Sequence, residues 1–155
     1  MSNIKMMCWT VTPFTVTGEL DEEAFRWYIN RLSESKIGLY LASGGVGEGY
    51  AMSLAEIQRV YRIAVEECKG KVDIHANPPE QHTAKEALTH ALLAIEAGCE
   101  AVNIYPPASR HGYRATEEEQ HAFFDTLFSQ IKHPVVLCAN PVGKKEIGNV
   151  SCECR

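Results

Sequence analysis

The residues best placed for chemistry lie in the segment LASGGVGEGYAMS, residues 41–53, where four glycines fall within six residues. The segment separates an apolar run, typical of a β-strand, from a run with helical periodicity. Glycines at such a turn let the backbone approach a ligand closely, and backbone N–H groups there suit an anion. Three interpretations follow: a nucleotide phosphate, the carboxylate of a small substrate, or a tight turn that needs positive φ and binds nothing.

Neither common phosphate-binding motif fits these glycines. The dinucleotide pattern G-x-G-x-x-G, started at Gly45 and Gly47, requires a third glycine where the chain has Tyr50. The P-loop requires a lysine, and residues 41–53 contain none. A phosphate interpretation therefore rests only on backbone amides near a helix start.

His75 ends the third apolar run, where a side chain lies near the catalytic edge of an α/β fold. It is a candidate acid, base or substrate ligand, or alternatively a histidine paired with a loop carbonyl.

The cysteines do not form a metal-ligand pattern. Four lie in apolar or periodic segments that suit free thiols: Cys8, Cys68, Cys99 and Cys138. The pair Cys152 and Cys154 has no second ligand pair at metal spacing. We therefore expect neither a metal nor a cofactor.

Strand and helix signals alternate along the chain at roughly the spacing of βαβ units. The predicted strands are residues 4–11, 37–42, 71–76, 101–105 and 133–141. The predicted helices are residues 21–35, 53–70, 83–98 and 116–131, and Trp27 is expected to pack against a neighbouring element. Strict alternation predicts the α/β class, as an open doubly wound sheet or a (β/α) barrel.

Composition excludes several classes of partner. The 155 residues are 45% hydrophobic and 23% charged, with a net charge of −5 and no basic block. This argues against nucleic acid or an anionic membrane surface as partner. No apolar run approaches the roughly 20 residues of a membrane span, and the first residues do not resemble a secretory signal. A cytoplasmic protein is expected.

Several motifs then occur in a specific order. Thr12-Pro13-Phe14 follows the first strand, Gly44-Gly45-Val46-Gly47-Glu48 follows the second, and Thr83-Ala84 opens the third helix. With the segment EAGCEAVNIYPP at the fourth strand, residues 8–141 resemble the dihydrodipicolinate synthase and N-acetylneuraminate lyase family.

The resemblance implies a (β/α)8 barrel and a pyruvate-dependent lyase or aldolase. In the family, a lysine on the sixth strand forms a Schiff base with a 2-oxo acid, and a tyrosine ending the fifth strand relays protons. The loop after the second strand binds the substrate carboxylate. Carried over to this chain, Gly44, Gly45, Val46 and Gly47 would bind the carboxylate of a pyruvate-like 2-oxo acid, and a homo-oligomer is expected.

The chain departs from the family at several of these positions. Gly45 and Val46 replace two residues of this loop that carry hydroxyl groups in the family. Cys138 occupies the position of the family's tyrosine, and its thiol is either a proton relay or a buried apolar group. Arg110 aligns with an arginine of some members and faces either an acidic substrate group or solvent. Lys144 and Lys145 lie in a loop and are not expected to replace the Schiff-base lysine.

Seventeen residues follow Cys138, too few to reach a sixth strand. We therefore expect a partial barrel of about five strands and four helices over residues 1–141, and an atypical tail over 142–155. The sequence of that tail resembles the end of a chain that is cut short or translated in another reading frame. The sequence predicts a family lyase that is inactive as this chain. The alternatives are a non-catalytic, self-associating barrel fragment and a phosphate-binding open α/β protein.

Overall fold

The computed structural model describes residues 5–108 and 113–138. Five strands and four helices alternate along this part of the chain. The strands are β1 Met7–Trp9, β2 Gly38–Leu41, β3 Ile74–Ala76, β4 Ala101–Ile104 and β5 Val135–Leu137. The helices are α1 Glu22–Glu34, α2 Leu54–Cys68, α3 Ala84–Ala97 and α4 Glu117–Gln130.

Local side-chain chemistry sets the ends of the helices. Ser53, Thr83 and Thr116 each accept a hydrogen bond from the backbone three residues later, where a glutamate completes a capping box. At the other end of α3, Gly98 adopts the left-handed conformation with φ 93°, which an L side chain disfavours. The predicted helices are confirmed to within two residues at each end.

The five strands form one parallel sheet whose spatial order is the same as their order in the chain. Cys8 pairs with Leu39, which pairs with Ile74, while Val102 pairs with Val135. A doubly wound sheet would show a reversal of strand order. A sequential order is that of a (β/α) barrel, so the topology decides between the two predicted architectures.

The hydrophobic core lies between the helices and one face of this sheet. It joins Leu39, Leu41 and Ile74 of the strands to Phe25 and Ile29 of α1 and to apolar residues of the other three helices. Because side chains alternate along a strand, the intervening residues point to the opposite face, which we call the second face. A tilted aromatic row crosses it, with ring centroids 5.3 Å apart from Trp9 to Tyr40 and 5.5 Å from Tyr40 to His75.

Two predictions, one about strand length and one about packing, differ from the structure. The strands are shorter than the apolar runs that indicated them, because residues past each pairing segment turn into loops. Trp27 is 65% exposed on the outer side of α1, with the Arg31 guanidinium 5.7 Å from its ring centroid. The expectation that Trp27 packs against another element is therefore wrong.

Candidate functional site

Loops at the carboxyl end of the sheet gather the polar residues of the candidate site. In a parallel sheet all these ends lie on one edge, so the loops after β1, β2, β3 and β4 converge there. The loop after β2, residues 42–53, holds the four glycines. We call it the glycine loop.

The glycines of this loop are not used for left-handed backbone conformations. Within this fully described loop, positive φ falls on Ala42 at 57° and on Glu48 at 55°, and on none of the four glycines. The interpretation that the glycines serve a turn with positive φ is therefore wrong.

Close contact explains three of these glycines. A Cβ on Gly47 would lie 2.7 Å from the Ser43 backbone nitrogen, and one on Gly44 would meet the Tyr50 ring. A Cβ on Gly49 would overlap the Ala42 carbonyl oxygen. A Cβ on Gly45, by contrast, would meet nothing within 4 Å. The loop is folded tightly on itself and leaves Gly45 at an open tip.

Two buried hydroxyl groups hold the glycine loop in place. The Thr12 hydroxyl, from the loop after β1, donates to the Gly47 carbonyl oxygen at 2.8 Å. The Ser43 hydroxyl accepts from the Gly47 N–H at 2.9 Å. Tyr50 also donates to the Glu80 carboxylate, which ties the glycine loop to the loop after β3.

These contacts leave a group of backbone donors without a partner. Among the described residues, the N–H groups of Gly44, Gly45 and Val46 have no hydrogen-bond acceptor. The Gly47 N–H is already used by Ser43 and is not available to a ligand. The predicted carboxylate-binding set of four residues is therefore reduced to three free donors.

The phosphate interpretation of the glycine loop stays a prediction, but the helix start on which it relied lies outside the free amides. It relied on amides at a helix start, but α2 begins at Leu54, eight residues after Val46. The Glu56 N–H in its first turn is capped by the Ser53 side chain. The free amides of the glycine loop therefore do not belong to the first turn of α2.

A second polar group lies beside the glycine loop, on the second face of β3 and β4. The Asn103 side-chain amide donates to Asn77 Oδ1 at 2.9 Å, and the Tyr105 hydroxyl donates to the same oxygen at 2.9 Å. Asn77 is 1% exposed and Asn103 is 2% exposed. We call these three residues the amide cluster.

Cys138 follows β5 at the level of Tyr105 and interacts with its hydroxyl group. Burial raises the pKa of the Cys138 thiol, the Tyr105 hydroxyl lowers it in part, and the Glu80 charge raises it further. Burial and the Cys138 neighbour raise the pKa of Tyr105 to about 12. Both groups therefore carry their protons at neutral pH, and Cys138 contacts a polar cluster, not an apolar core.

His75 is also on the second face, two residues before Asn77 and therefore farther from the carboxyl edge of the sheet than the amide cluster. Burial lowers the pKa of its imidazole, against the opposing effect of Asp73 and Glu100, so the ring is neutral at pH 7. Its buried Nδ1 has no hydrogen-bond partner among the described residues. The alternative that a loop carbonyl satisfies His75 is therefore wrong for this nitrogen.

Several predicted residues lie outside the described part of the chain: Arg110, Lys144, Lys145, Cys152, Cys154 and the tail from 142. Within the described part, no lysine lies in a strand or in the loops that follow β1 to β4. No group of three or more His, Cys, Asp or Glu side chains in that part is arranged to hold a metal. Nor does any helix described there have the length and apolarity to cross a membrane.

The sequence reasoning missed the amide cluster and the anchoring role of Ser43. A signal for the cluster existed, because Asn103 interrupts the otherwise apolar strand AVNIY. Strands buried on both faces are normally apolar throughout, so one asparagine within such a run indicates a partner or a ligand. Ser43 had no comparable signal, because its hydrogen bond depends on the folded loop.

Comparison with known proteins identifies a family that the chain matches. A family model described as the dihydrodipicolinate synthetase family matches residues 3–145. A probable 5-dehydro-4-deoxyglucarate dehydratase of Methylobacterium radiotolerans is 37% identical, over 66% of this chain and 33% of that protein. A 4-hydroxy-tetrahydrodipicolinate synthase of Bradyrhizobium diazoefficiens is 34% identical, over 82% of this chain and 41% of that protein. The chain thus spans well under half of these relatives' length.

Solved structures agree with these relatives. A putative dihydrodipicolinate synthetase from Pseudomonas aeruginosa superposes with a TM-score of 0.78 and 26% identity, covering 91% of this chain and 47% of that one. A prophage protein of the dihydrodipicolinic acid synthase family from E. coli K12, solved in complex with pyruvate, gives a TM-score of 0.76 at 20% identity, covering 88% and 45%. The fold corresponds to part of such a barrel.

Proposed function

Since the chain belongs to the dihydrodipicolinate synthetase family, we propose that it binds a pyruvate-like 2-oxo acid at the glycine loop. The observation that carries the proposal is the set of three unpartnered N–H groups at Gly44, Gly45 and Val46. They lie at the carboxyl edge of the sheet, where barrel enzymes place their chemistry. The pyruvate complex of the E. coli prophage protein adds support from a shared fold.

Backbone amides suit a carboxylate for a simple reason. A carboxylate only accepts hydrogen bonds, and each bond from a neutral donor to a charged acceptor contributes about 1.5–3 kcal/mol. The loop supplies no cationic side chain, and it carries Glu48. With two or three such bonds and the usual cost of association, we expect a dissociation constant of about 1 mM.

The covalent step of the family is not assigned to any described residue, because none of the described lysines lies at this edge. The activity proposed for the described part of the chain is therefore reversible binding of the 2-oxo acid. Cys138 keeps its thiol proton at neutral pH, so in a relay it would act as a donor and not as a base. The cytoplasmic location stays a prediction.

A ligand titration tests the binding proposal. In ¹⁵N-labelled protein, pyruvate should shift the amide signals of Gly44, Gly45 and Val46, while pyruvamide, which lacks the carboxylate, should not. The Gly47 signal should move less, because its N–H is already bonded to Ser43. Unchanged signals at all three residues with pyruvate would contradict the proposal.

Borohydride trapping tests the covalent step separately. After incubation with pyruvate and borohydride, the intact mass should be unchanged, since no described lysine is positioned to form the imine. A covalent adduct would show that a lysine of this chain does form it. Peptide mapping of that adduct would then distinguish Lys144 and Lys145 from the described lysines.

Self-association is the second candidate function, and exposed apolar residues at both sheet edges favour it. Within the described residues, β1 and β5 each pair with one strand only. Trp9 and Val11 beside the first edge are 52% and 48% exposed, and Leu137 at the other is 47% exposed. Unpaired edges with exposed apolar side chains favour association between chains. Sedimentation velocity over a concentration series tests this candidate.

A further inference from the structure

We propose that the contact between Tyr50 and Glu80 positions the glycine loop for its ligand. Tyr50 belongs to the glycine loop and donates its hydroxyl hydrogen to the carboxylate of Glu80, in the loop after β3. We call this pair the loop tether. The inference rests on the proposed function and adds two positioning residues to it, which act through the backbone donors of the loop.

One end of the loop tether packs against the donor segment itself. A Cβ on Gly44 would lie 2.5 Å from Cε2 and 2.9 Å from Cζ of the Tyr50 ring. The ring therefore contacts the backbone at the first of the three residues with free N–H groups. Because Tyr50 is 49% exposed, burial in the core does not hold this ring in place. Its position depends on the contacts of its outer end.

The other end of the loop tether lies on a stiff segment. Glu80 follows Pro78 and Pro79, which are both buried and whose rings hold φ at about −65°. The Gln81 side chain donates to the Pro79 carbonyl oxygen at 2.9 Å, and the Gln81 carbonyl oxygen accepts from the Ala108 N–H at 2.9 Å. Glu80 is therefore held from both sides, and its carboxylate is a well-placed acceptor for the Tyr50 hydroxyl.

The loop tether gives the glycine loop a second point of attachment. Thr12 and Ser43 hold the loop at Gly47, just after the free donors. The tether holds it at Gly44, where the free donors begin, through the Tyr50 ring. A loop fixed at two points has fewer conformations than a loop fixed at one, so it loses less entropy when a ligand orders it. Removing the tether should therefore weaken ligand binding.

The charge of Glu80 alone would have the opposite effect on a carboxylate ligand. This charge raises the pKa of the Cys138 thiol, so it acts at the carboxyl edge of the sheet. A negative charge there repels the carboxylate of a ligand. If repulsion were its main effect, removing the charge would strengthen binding. The sign of the change in affinity therefore distinguishes positioning from repulsion.

The test measures the affinity for pyruvate by titration of ¹⁵N-labelled protein. Tyr50→Phe keeps the ring and removes the hydroxyl, and Glu80→Ala removes its acceptor, so each should weaken binding by about three- to tenfold. The double variant should bind no more weakly than the weaker single variant, because both changes remove the same hydrogen bond. Glu80→Gln keeps an acceptor for the Tyr50 hydroxyl and should retain more affinity than Glu80→Ala.

Tyr28→Phe is the matched control. It also removes one tyrosine hydroxyl, but that hydroxyl contacts Cys8 Sγ at 3.7 Å between α1 and β1, so the affinity for pyruvate should not change. A second measurement needs no ligand. The ¹H–¹⁵N heteronuclear NOE at Gly44, Gly45 and Val46 reports fast backbone motion, and it should fall in Tyr50→Phe but not in Tyr28→Phe.

The outcomes separate the loop tether from the proposed function. Equal binding of pyruvate by the unsubstituted protein, Tyr50→Phe and Glu80→Ala overturns the tether and leaves the carboxylate site standing. Stronger binding by both Glu80 variants overturns the tether in favour of charge repulsion. If the unsubstituted protein binds no pyruvate, the proposed function fails and the NOE decides alone. A fall at the three donor residues in Tyr50→Phe then supports the tether, and unchanged values overturn it.

Discussion

The side chains that shape the glycine loop act on its backbone. The Thr12 hydroxyl donates to the Gly47 carbonyl oxygen, and the Ser43 hydroxyl accepts from the Gly47 N–H. Their effect is to fix the backbone so that the neighbouring N–H groups stay unpaired. Fixed donors of this kind lose little on binding, because they need no reorganisation.

Gly47 and Gly45 should respond differently to the same change. Gly47→Ala places a Cβ 2.7 Å from the Ser43 backbone nitrogen, so we expect the free energy of unfolding to fall by about 1–3 kcal/mol. Gly45→Ala is the matched control, because its Cβ meets nothing within 4 Å and its φ is not positive. Urea denaturation measures both. Equal losses would show that the close approach at Gly47 is not the cause.

The reactivity of Cys138 should change in opposite directions with its two neighbours. Tyr105→Phe removes the hydroxyl that lowers the thiol pKa, so that pKa should rise and alkylation at fixed pH should slow. Glu80→Gln removes a charge that raises the pKa, so alkylation should become faster. Iodoacetamide labelling with peptide mapping, repeated from pH 7 to about 9, follows both rates. A change of the same sign in both variants would indicate altered access and not altered acidity.

At the scale of elements, the parts of the fold that local chemistry determines were predictable. The capping residues Ser53 and Thr83 and the terminating Gly98 act within a few residues of themselves, so their effects can be read from the sequence. The hydrogen bond between Asn77 and Asn103 joins the residue just after β3 to a residue of β4, and only the register of these two strands brings them together. The periodicity of the sequence does not predict that contact.

The cap of α3 offers a direct test at this scale. Thr83→Ala removes the side chain that accepts from the Glu86 N–H, and the free energy of unfolding should fall by about 0.5–2 kcal/mol. The control is Thr89→Ala, an exposed change inside the same helix, which should be neutral or stabilise by up to about 0.7 kcal/mol. Chemical denaturation monitored by circular dichroism compares them. A loss at position 89 as large as that at 83 would contradict the capping explanation.

At the scale of the whole molecule, the sequential strand order places the four helices on one face of the sheet. None of these four helices covers the second face. Part of that face is polar at the carboxyl edge, in the amide cluster. Near β1 it is apolar and exposed at Trp9. The sequence predicted the α/β class and the five strands, but exposure of this face depends on which strands are neighbours, and alternation alone does not give that.

Substitutions of two exposed tryptophans distinguish self-association through one interface from non-specific hydrophobic association. If chains associate through the β1 edge, Trp9→Lys should lower the weight-average sedimentation coefficient at high protein concentration toward the monomer value. Trp27→Lys changes a tryptophan on the outside of α1 that is 65% exposed, more than Trp9 at 52%, and should have no such effect. Equal effects of both substitutions would argue against an interface at β1. A sedimentation coefficient that does not depend on concentration in the unsubstituted protein would contradict self-association altogether.

The strand order also bears on how the chain is made. From β2 to β5, each described strand pairs with the strand synthesised immediately before it. A nascent chain leaving the ribosome can therefore add one strand and one helix at a time to structure that already exists. Among the five described strands, none has to wait for a partner encoded much later in order to join the sheet, which keeps loop closures short during synthesis.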